Sequence, residues 1–423
     1  MYETIDYLIP KLKKIVPEPI VRPLRPLYHL TLAFLMALSY GFPARKLTVI
    51  GITGTKGKST TAEMVFTILR AAGHRTALIS TIRFAIEDQS EPNMYKMTLQ
   101  GRGFVQAFMS KALKAGCTHI VVEITSESVV QYRHWFLELD GLIVTNIHRE
   151  HIDSHGSMEN YILAKREIVQ ALVRSNKSLR VLVANEDISA SREFLSMPVS
   201  KAIGFSEKEL KDFIGDDRHI QFEYEGNCIS VPLPGSFSAM NALATLKLCE
   251  AFGVPVAFAG EALAKLPTVR GRIERIEEGQ DFTVIVDYAH TPDSLRALYG
   301  AFENKRKICV LGNTGGGRDK WKRPVMGKIA DELCEKVILT NEDPYDEEPG
   351  DIVFAMKRDM RRPPEIILDR REAIRTALKS AGTGDVVMIS GKGTDPFIMG
   401  KKGSKIPWSD AQVVREELQR LLA

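Results

Sequence analysis

The chain has 423 residues, 44% of them hydrophobic and 26% charged, which is enough apolar content for two or three buried cores and too much for a disordered polymer. Its net charge of +4 is spread without long basic runs, so composition calls for no nucleic-acid partner and leaves small anionic substrates open. Cys117, Cys228, Cys249, Cys309 and Cys334 lack paired metal-site spacing, and the odd count argues against a complete disulfide framework; a reducing cytoplasm without structural zinc is expected.

Residues 27–42 (LYHLTLAFLMALSYGF) form a strongly apolar stretch, with Arg22 and Arg25 before it and Arg45 and Lys46 after. It falls short of the roughly 20 residues that span a bilayer, and no small-residue cleavage site follows it. Two readings stay open: a helix packed on the body of the protein, or an interfacial anchor held by the flanking cations, giving a cytoplasmic protein that touches a membrane from its surface.

From residue 47 the pattern alternates. An apolar β-branched run at 47–52 leads into a glycine-rich loop and a helix over 59–72. Strands follow near 76–80, 119–125 and 141–145, with a helix near 103–115. Strands separated by helices imply a mostly parallel sheet covered on both faces. Residues 200–232 read as β-rich and 236–252 as helical, and Pro267 and Gly271 punctuate a linker over 266–272. A second α/β series has strands near 283–286, 307–311, 336–340, 365–368 and 386–390. Residues 341–351 read as an acidic, solvated loop. The fold class is thus α/β: an N-terminal segment over 1–46, a central nucleotide-binding domain over 47–269 and a C-terminal Rossmann-like domain over 270–423.

The loop GITGTKGKSTT at 51–61 carries the parts that a nucleoside triphosphate needs: successive backbone N–H groups, Lys58 for phosphate oxygens and Ser59 for a magnesium ion. Ile52 stands where the strict P-loop has its first glycine. The loop therefore matches a GTxGK[ST] variant, and its place between a strand and a helix carries the reading. Downstream, Glu123 ends a strand, His151 lies in the loop TNIHREHIDSHG (145–156), and Lys165 lies on the helix that follows. Singly, each would pass for an ordinary satisfied polar group.

Taken together, these residues resemble the Mur ligase superfamily, most closely its UDP-N-acetylmuramoyl-tripeptide synthetase branch. GTKGKSTT, VEITSESVVQYR, TNIHREHIDSHGSMENYILAK, LPGSFSAMNALA, DYAHTPDSL, GNTGGGRDKWKRPVMG, ILDRREAI and ISGKGTDPF follow in that family's order. The resemblance implies an ATP- and Mg²⁺-dependent ligase that phosphorylates a carboxylate and lets an amino acid's amine attack the acyl phosphate. It implies that Gly54, Thr55, Lys56, Gly57, Lys58, Ser59 and Thr60 hold phosphates, with Ser59 also at the first metal. Glu123, His151 and a carbamylated Lys165 would serve the second metal. Asn241 would lie near the adenine, and Arg272, Asp287 and His290 would close over the ATP. Gln100, Ser126, Gln131 and Arg133 would meet the carboxylate substrate, and Arg318, Asp343, Gly391 and Asp395 the incoming amino acid. Two polyanions must meet in such a site, so cations and Mg²⁺ are needed to offset charge.

The chain departs from the family in two regions. Glu342-Asp343-Pro344-Tyr345 replaces Asp-Asn-Pro-Arg, and Gly391-Lys392-Gly393-Thr394-Asp395 replaces Gly-Lys-Gly-His-Glu. Diaminopimelate as acceptor is thereby in doubt. Residues 1–46 stand in place of the family's uridine-binding domain, and YKMTLQGR (95–102) replaces the usual Thr-Thr-Pro before Leu-Gln. The first expectation is a ligase acting on a muramoyl peptide. The alternatives are a ligase for a lipid-linked or non-muramoyl carboxylate, as in folylpolyglutamate or polymer synthesis, a non-ligating ATP switch, and a plain NTPase.

Overall fold

The protein is described by a computed structural model covering residues 18–101, 103–148, 150, 155–317 and 319–423. His151 and Arg318, two of the expected site residues, lie outside these described residues.

The chain enters through helix α1 (Glu18–Ser39). Eight strands then build the larger sheet: β1 (Thr48–Thr53), β2 (Thr76–Ile79), β3 (Arg83–Ile86), β4 (Gln89–Pro92), β5 (His119–Glu123), β6 (Gly141–Val144), β7 (Val181–Asn185) and β8 (Lys201–Phe205). Their order is β4-β3-β2-β5-β1-β6-β7-β8. The run from β2 to β8 is parallel, and β3 and β4 add an antiparallel hairpin at one edge. Parallel strands are covered on both faces, which is why β5, β6 and β7 read as nearly continuous apolar runs. Helices α2 (Lys58–Ala71), α3 (Phe104–Lys114), α4 (Ser126–Val130), α5 (Met158–Val173), α6 (Ser189–Leu195) and α7 (Ser236–Ala251) accompany the sheet. One core packs α2 and α7 on one face, around Ile52, Phe66 and Leu243. The other packs α3 and α5 on the opposite face, around Val122, Phe108 and Ile168.

Beyond β8, β9 (Lys211–Gly215), β10 (Ile220–Tyr224) and β11 (Asn227–Val231) make a small antiparallel sheet. The alternation along β10 drives Ile220, Phe222 and Tyr224 into the first core. The second large sheet comprises β12 (Glu274–Ile276), β13 (Thr283–Asp287), β14 (Lys307–Leu311), β15 (Lys336–Leu339), β16 (Glu365–Ile366) and β17 (Val386–Ser390), ordered β12-β13-β17-β14-β15-β16. Only β12 runs antiparallel to its neighbour. A hairpin of β18 (Phe397–Met399) and β19 (Lys405–Pro407) follows.

Three expectations need correction. The acidic stretch at 341–351 is not solvated at its start: Glu342 and Asp343 are each 3% exposed, because the chain dives between the end of β15 and the 391–399 segment. Cys309 and Cys334 form a disulfide. The fold brings the middle of β14 beside the end of the helix Lys322–Leu333, a proximity that their spacing of 25 residues does not reveal. The strand expected over 365–368 is only the two residues of β16.

One face of the apolar N-terminal stretch packs on the body of the protein. Met36 and Ala37 are buried, and Met36 packs so closely on Gly103 that a Cβ there would lie 2.3 Å from its methyl carbon. Leu27, Phe34, Leu35 and Leu38 face outward, with Leu27 63% exposed. Among the described residues no helix is long and apolar enough to cross a membrane.

Candidate active site

The C-terminal ends of parallel strands gather loops at one edge of a sheet, where helix N-termini also point, and this is where such folds place ligands. Here β1 delivers the glycine-rich loop and α2 begins at Lys58, directly after it. Gly54 adopts φ +146°, and a Cβ at that position would lie 1.9 Å from the Thr145 hydroxyl. Gly57 has φ +80°, and a Cβ would lie 2.4 Å from the Asn241 side-chain oxygen. Both positions require glycine because the loop is pressed between the ends of β1 and β6 and helix α7.

The TNIH segment holds the loop in place. Thr55 N–H donates to the Asn146 carbonyl at 2.9 Å, Lys56 N–H to the Asn146 side chain at 2.8 Å, and the Thr145 hydroxyl to the Lys56 carbonyl at 2.6 Å. From α5, the Tyr161 hydroxyl meets that of Thr55 at 2.7 Å. Lys58 folds back over the loop, donating to the carbonyls of Gly54 at 3.0 Å and Thr55 at 2.9 Å. Burial lowers its pKa, against the raising effect of Glu123, and Lys56 adds to the lowering. A lysine held this way is placed to exchange backbone carbonyls for phosphate oxygens.

Glu123 closes β5 with a carboxylate that is 1% exposed. Its Oε2 accepts from the Ser59 hydroxyl at 3.1 Å and from Thr81 N–H at 2.8 Å. Lys165 is also 1% exposed, and it donates to the Thr53 hydroxyl at 3.1 Å and the Gly54 carbonyl at 2.9 Å. Burial and, after it, Lys58 hold the Lys165 pKa well below the ordinary lysine value. Hard oxygens from Ser59 and Glu123 suit Mg²⁺, which keeps several waters and takes phosphate oxygens as ligands. Among the described residues no group of three or more His, Cys, Asp or Glu side chains is gathered for a metal. A free Lys165 ammonium cannot ligate a cation; a carbamate on the same nitrogen can.

From the C-terminal side, Arg272 reaches the Ser59 hydroxyl at 3.5 Å, and its guanidinium lies 4.4 Å from the centre of the Tyr288 ring. His290 contacts Glu150 at 3.2 Å, while Lys56 pairs with the other Glu150 oxygen at 2.8 Å. Burial and Lys56 bring the His290 pKa down to about 4 despite Glu150, so at neutral pH one ring proton serves either Glu150 or the Tyr288 carbonyl. The Asp287 carboxylate accepts from the N–H groups of Ile273 and Ala289, both at 2.7 Å, and so shapes the turn that presents His290.

One cavity of about 450 Å³ unites most of these groups. Its wall includes the loop from Gly54 to Ser59, Glu123, Lys165, Arg272 and His290 at one end, and Asp343 and Asp395 at the other. Ser126, Gln131 and Arg133 line it as well, with Arg133 hydrogen-bonded to the Gln131 side chain and the Leu99 carbonyl. Thr60, Gln100, Asn241, Asp287 and Gly391 do not line it. The Asn241 side chain lies close against Gly57, and Gly391 lets Glu342 approach, since a Cβ there would lie 2.1 Å from a Glu342 carboxylate oxygen. Residues not among the expected site residues also line the cavity, namely Lys96, Glu150, Tyr161, Lys322 and Tyr345. Glu150 stands beside His151 in the TNIHREH motif, and that adjacency was the available signal; for Lys96 it was the departure at 95–102.

The family profile of the Mur ligase middle domain matches residues 52–249, and that of the Mur ligase, glutamate ligase domain matches residues 271–393. The UDP-N-acetylmuramoyl-L-alanyl-D-glutamate--2,6-diaminopimelate ligase of Parabacteroides distasonis is 35% identical over 399 residues, covering 91% of this chain and 80% of that protein. The UDP-N-acetylmuramyl-tripeptide synthetase of a Roseiflexus species is 33% identical over 436 residues, covering 96% and 85%. A solved structure of a UDP-N-acetylmuramoyl-L-alanyl-D-glutamate--2,6-diaminopimelate ligase superposes with a TM-score of 0.61 at 27% identity, covering 89% of this chain and 79% of that one. With both profiles matched in order, and relatives above 30% identity along most of its length, the chain belongs to the Mur ligase family of ATP-dependent ligases that form C–N bonds to amino acids.

Proposed function

We propose that this protein adds an amino acid to the carboxylate of a muramoyl-peptide precursor of peptidoglycan, by way of an acyl phosphate. The observation that carries this reading is the single cavity joining a phosphate-type loop to a second wall built by the other sheet, with Glu123 and Lys165 at the loop end. The carboxylate oxygen of the substrate attacks the γ-phosphorus of ATP and ADP leaves. The amine of the incoming amino acid then attacks the acyl carbon, phosphate leaves, and the nitrogen loses a proton.

In this reading Lys58 and the loop N–H groups bind the triphosphate, and the Ser59 and Thr60 hydroxyls lie at a first Mg²⁺. Glu123, His151 and carbamylated Lys165 serve a second. Mg²⁺, when bound, offsets the charge of the triphosphate and of the phosphoryl group in transfer. Lys165 is suited to carbamylation because its buried amine sheds its proton readily, and only the neutral amine adds CO₂, releasing one proton as the carbamate forms. Arg272, Asp287 and His290 close over the ATP, and Asn241 lies near the adenine. Gln100, Ser126, Gln131 and Arg133 meet the muramoyl peptide. Arg318, Asp343, Gly391 and Asp395 position the amino acid. The working boundaries are 1–46, 47–269 and 270–423, with motion at the 269/270 joint that shuts out water, since an acyl phosphate hydrolyses readily.

A phosphate-release assay tests this reading, with a panel of amino acids against UDP-linked muramoyl dipeptide and lipid-linked or glutamyl carboxylates, and mass spectrometry of the products. Amino-acid-stimulated release with a mass gain of one residue is expected. Release indifferent to every amino acid would point to an ATP switch or simple NTPase instead.

The outward face of α1 supports one addition, peripheral contact with a membrane from the cytoplasmic side. Leu27, Phe34, Leu35 and Leu38 are exposed on a helix with Arg45 and Lys46 just beyond its end. Sedimentation with anionic vesicles should be lost in Leu35→Glu/Leu38→Glu; equal sedimentation of the two proteins removes this part of the reading.

A further inference from the structure

The loop between β4 and α3 belongs to the first sheet's half of the molecule, yet Lys96 leaves that half altogether. Its ammonium lies 2.7 Å from Asp343 Oδ2 and 3.1 Å from Asp395 Oδ2, both on the C-terminal side of the cavity. The other Asp343 oxygen accepts from Lys392 and from Met399 N–H, each at 2.8 Å, and Lys392 also lies 3.4 Å from Asp395. Two carboxylates thus face two ammoniums, one from each half. The group is well shielded: side-chain exposure is 19% for Lys96, 5% for Asp343 and 18% for Asp395. An ion pair this enclosed escapes most of the salt screening that makes surface pairs weak.

The loop is built to deliver this lysine. Lys96 has φ +51°, a left-handed conformation that costs a non-glycine residue energy and persists where surrounding contacts enforce it. Asn93 supplies them: its amide donates to the Ser80 carbonyl at 3.0 Å and to the Met97 carbonyl at 2.9 Å, and its side-chain oxygen accepts from Tyr95 N–H at 3.0 Å. Those bonds fold residues 93–97 into a tight bridgehead on the first sheet, with Lys96 at its tip. Burial opposes the ammonium, but Asp395 and Asp343 outweigh it and hold its pKa above the ordinary lysine value. The cation is therefore permanent at physiological pH.

We propose that Lys96 is a positioning residue that clasps the two halves of the cavity, its ammonium bridging Asp343 and Asp395 so that the amino-acid end stays in register with the phosphate loop. The clasp also neutralises the acidic pair. Without Lys96, two carboxylates face one ammonium, and that end of the cavity gains an excess negative charge beside the acceptor. Lys96 thereby sets both the closure and the charge against which an amino acid is chosen. The kinetic consequences rest on the ligase reading above; the closure does not.

Full-length Lys96→Ala and Lys96→Arg test the clasp, with melting temperatures to confirm folding. For Lys96→Ala the KM for the amino acid should rise about tenfold, with a smaller change in the KM for ATP. Phosphate release without amino acid should rise relative to coupled turnover, because the acyl phosphate is left open to water. Lys96→Arg, which can still bridge both carboxylates, should restore most of the loss. Small-angle scattering provides a readout independent of chemistry: Lys96→Asp should raise the radius of gyration, and Lys96→Asp/Asp395→Lys should bring it back toward the original value. An unchanged radius in Lys96→Asp overturns the clasp, as does an unchanged amino-acid KM and leak in a Lys96→Ala protein that folds and ligates. Absence of amino-acid-dependent release from the unmodified protein would strike the ligase reading alone, and scattering would still decide the clasp.

Discussion

The two ends of the cavity are built on different plans. At the phosphate end, the loop, Lys58 and Ser59 are contiguous in sequence, and the geometry follows from a strand running directly into a helix. Its supports, Thr145, Asn146 and Tyr161, come from neighbouring elements of the same sheet and bind mainly backbone. At the opposite end, Lys96, Asp343 and Lys392 come from three distant segments and meet chiefly through side-chain charge. A backbone-defined end leaves little room for substitution, because the glycines and the loop contacts are fixed by the chain's path. A side-chain-defined end can be rewritten residue by residue.

The sharpest way to break the comparison is at Lys58. Lys58→Ala should lower kcat by at least about a hundredfold with any acceptor, because a charge aimed at the transferring phosphate is lost; steady-state phosphate release measures it, and a defect confined to one amino acid would contradict the division of labour. Lys165→Ala should cost nearly as much, with partial rescue by a short carboxylate such as acetate or formate standing in for the carbamate. Full activity in that variant would remove Lys165 from the metal site.

Asp343→Asn probes the other end. It keeps the shape but halves the acidic pair, and the amino-acid KM should rise about tenfold while the KM for ATP changes little. A smaller effect is expected from Tyr161→Phe, which removes the hydroxyl that meets Thr55 at 2.7 Å; about 1 kcal/mol of stability should be lost in denaturant titration.

A further effect, on stability alone, concerns acid. His134 is 2% exposed, and burial, then Arg174, brings its pKa down to about 4 from 6.5. The unfolded chain binds that proton near pH 6.5 while the folded chain refuses it until about pH 4. Stability is therefore full above pH 6.5 and falls as pH drops through that window, by about 3 kcal/mol over its whole width. His134→Leu should flatten the dependence of the melting temperature on pH between those limits without altering acceptor choice.

Much of this protein was legible before folding. β1, the glycine-rich loop and α2 are local: a β-branched apolar run, glycines that permit positive φ and a following helical period specify them with little help from the rest of the chain. The parallel strands announced themselves because burial on both faces demands uninterrupted apolar residues. The order of the motifs carried the family, and Lys58, Glu123 and Lys165 line one cavity.

Only the tertiary structure could decide the rest. The acidic run at 341–351 looked like solvent-facing loop, since composition registers charge but not the Lys96 and Lys392 ammoniums that offset the burial of Asp343. Cys309 and Cys334 looked like unrelated cysteines until β14 and a helix end came together. The apolar N-terminal segment had two readings because hydrophobicity does not say which face a helix turns inward; packing of Met36 on Gly103 settled that and left Leu27, Leu35 and Leu38 outside. Patterns set by the backbone are written locally and can be read from the chain. Charge pairing across hundreds of residues is written only in three dimensions, because its energy depends on separation and burial that no local spacing encodes.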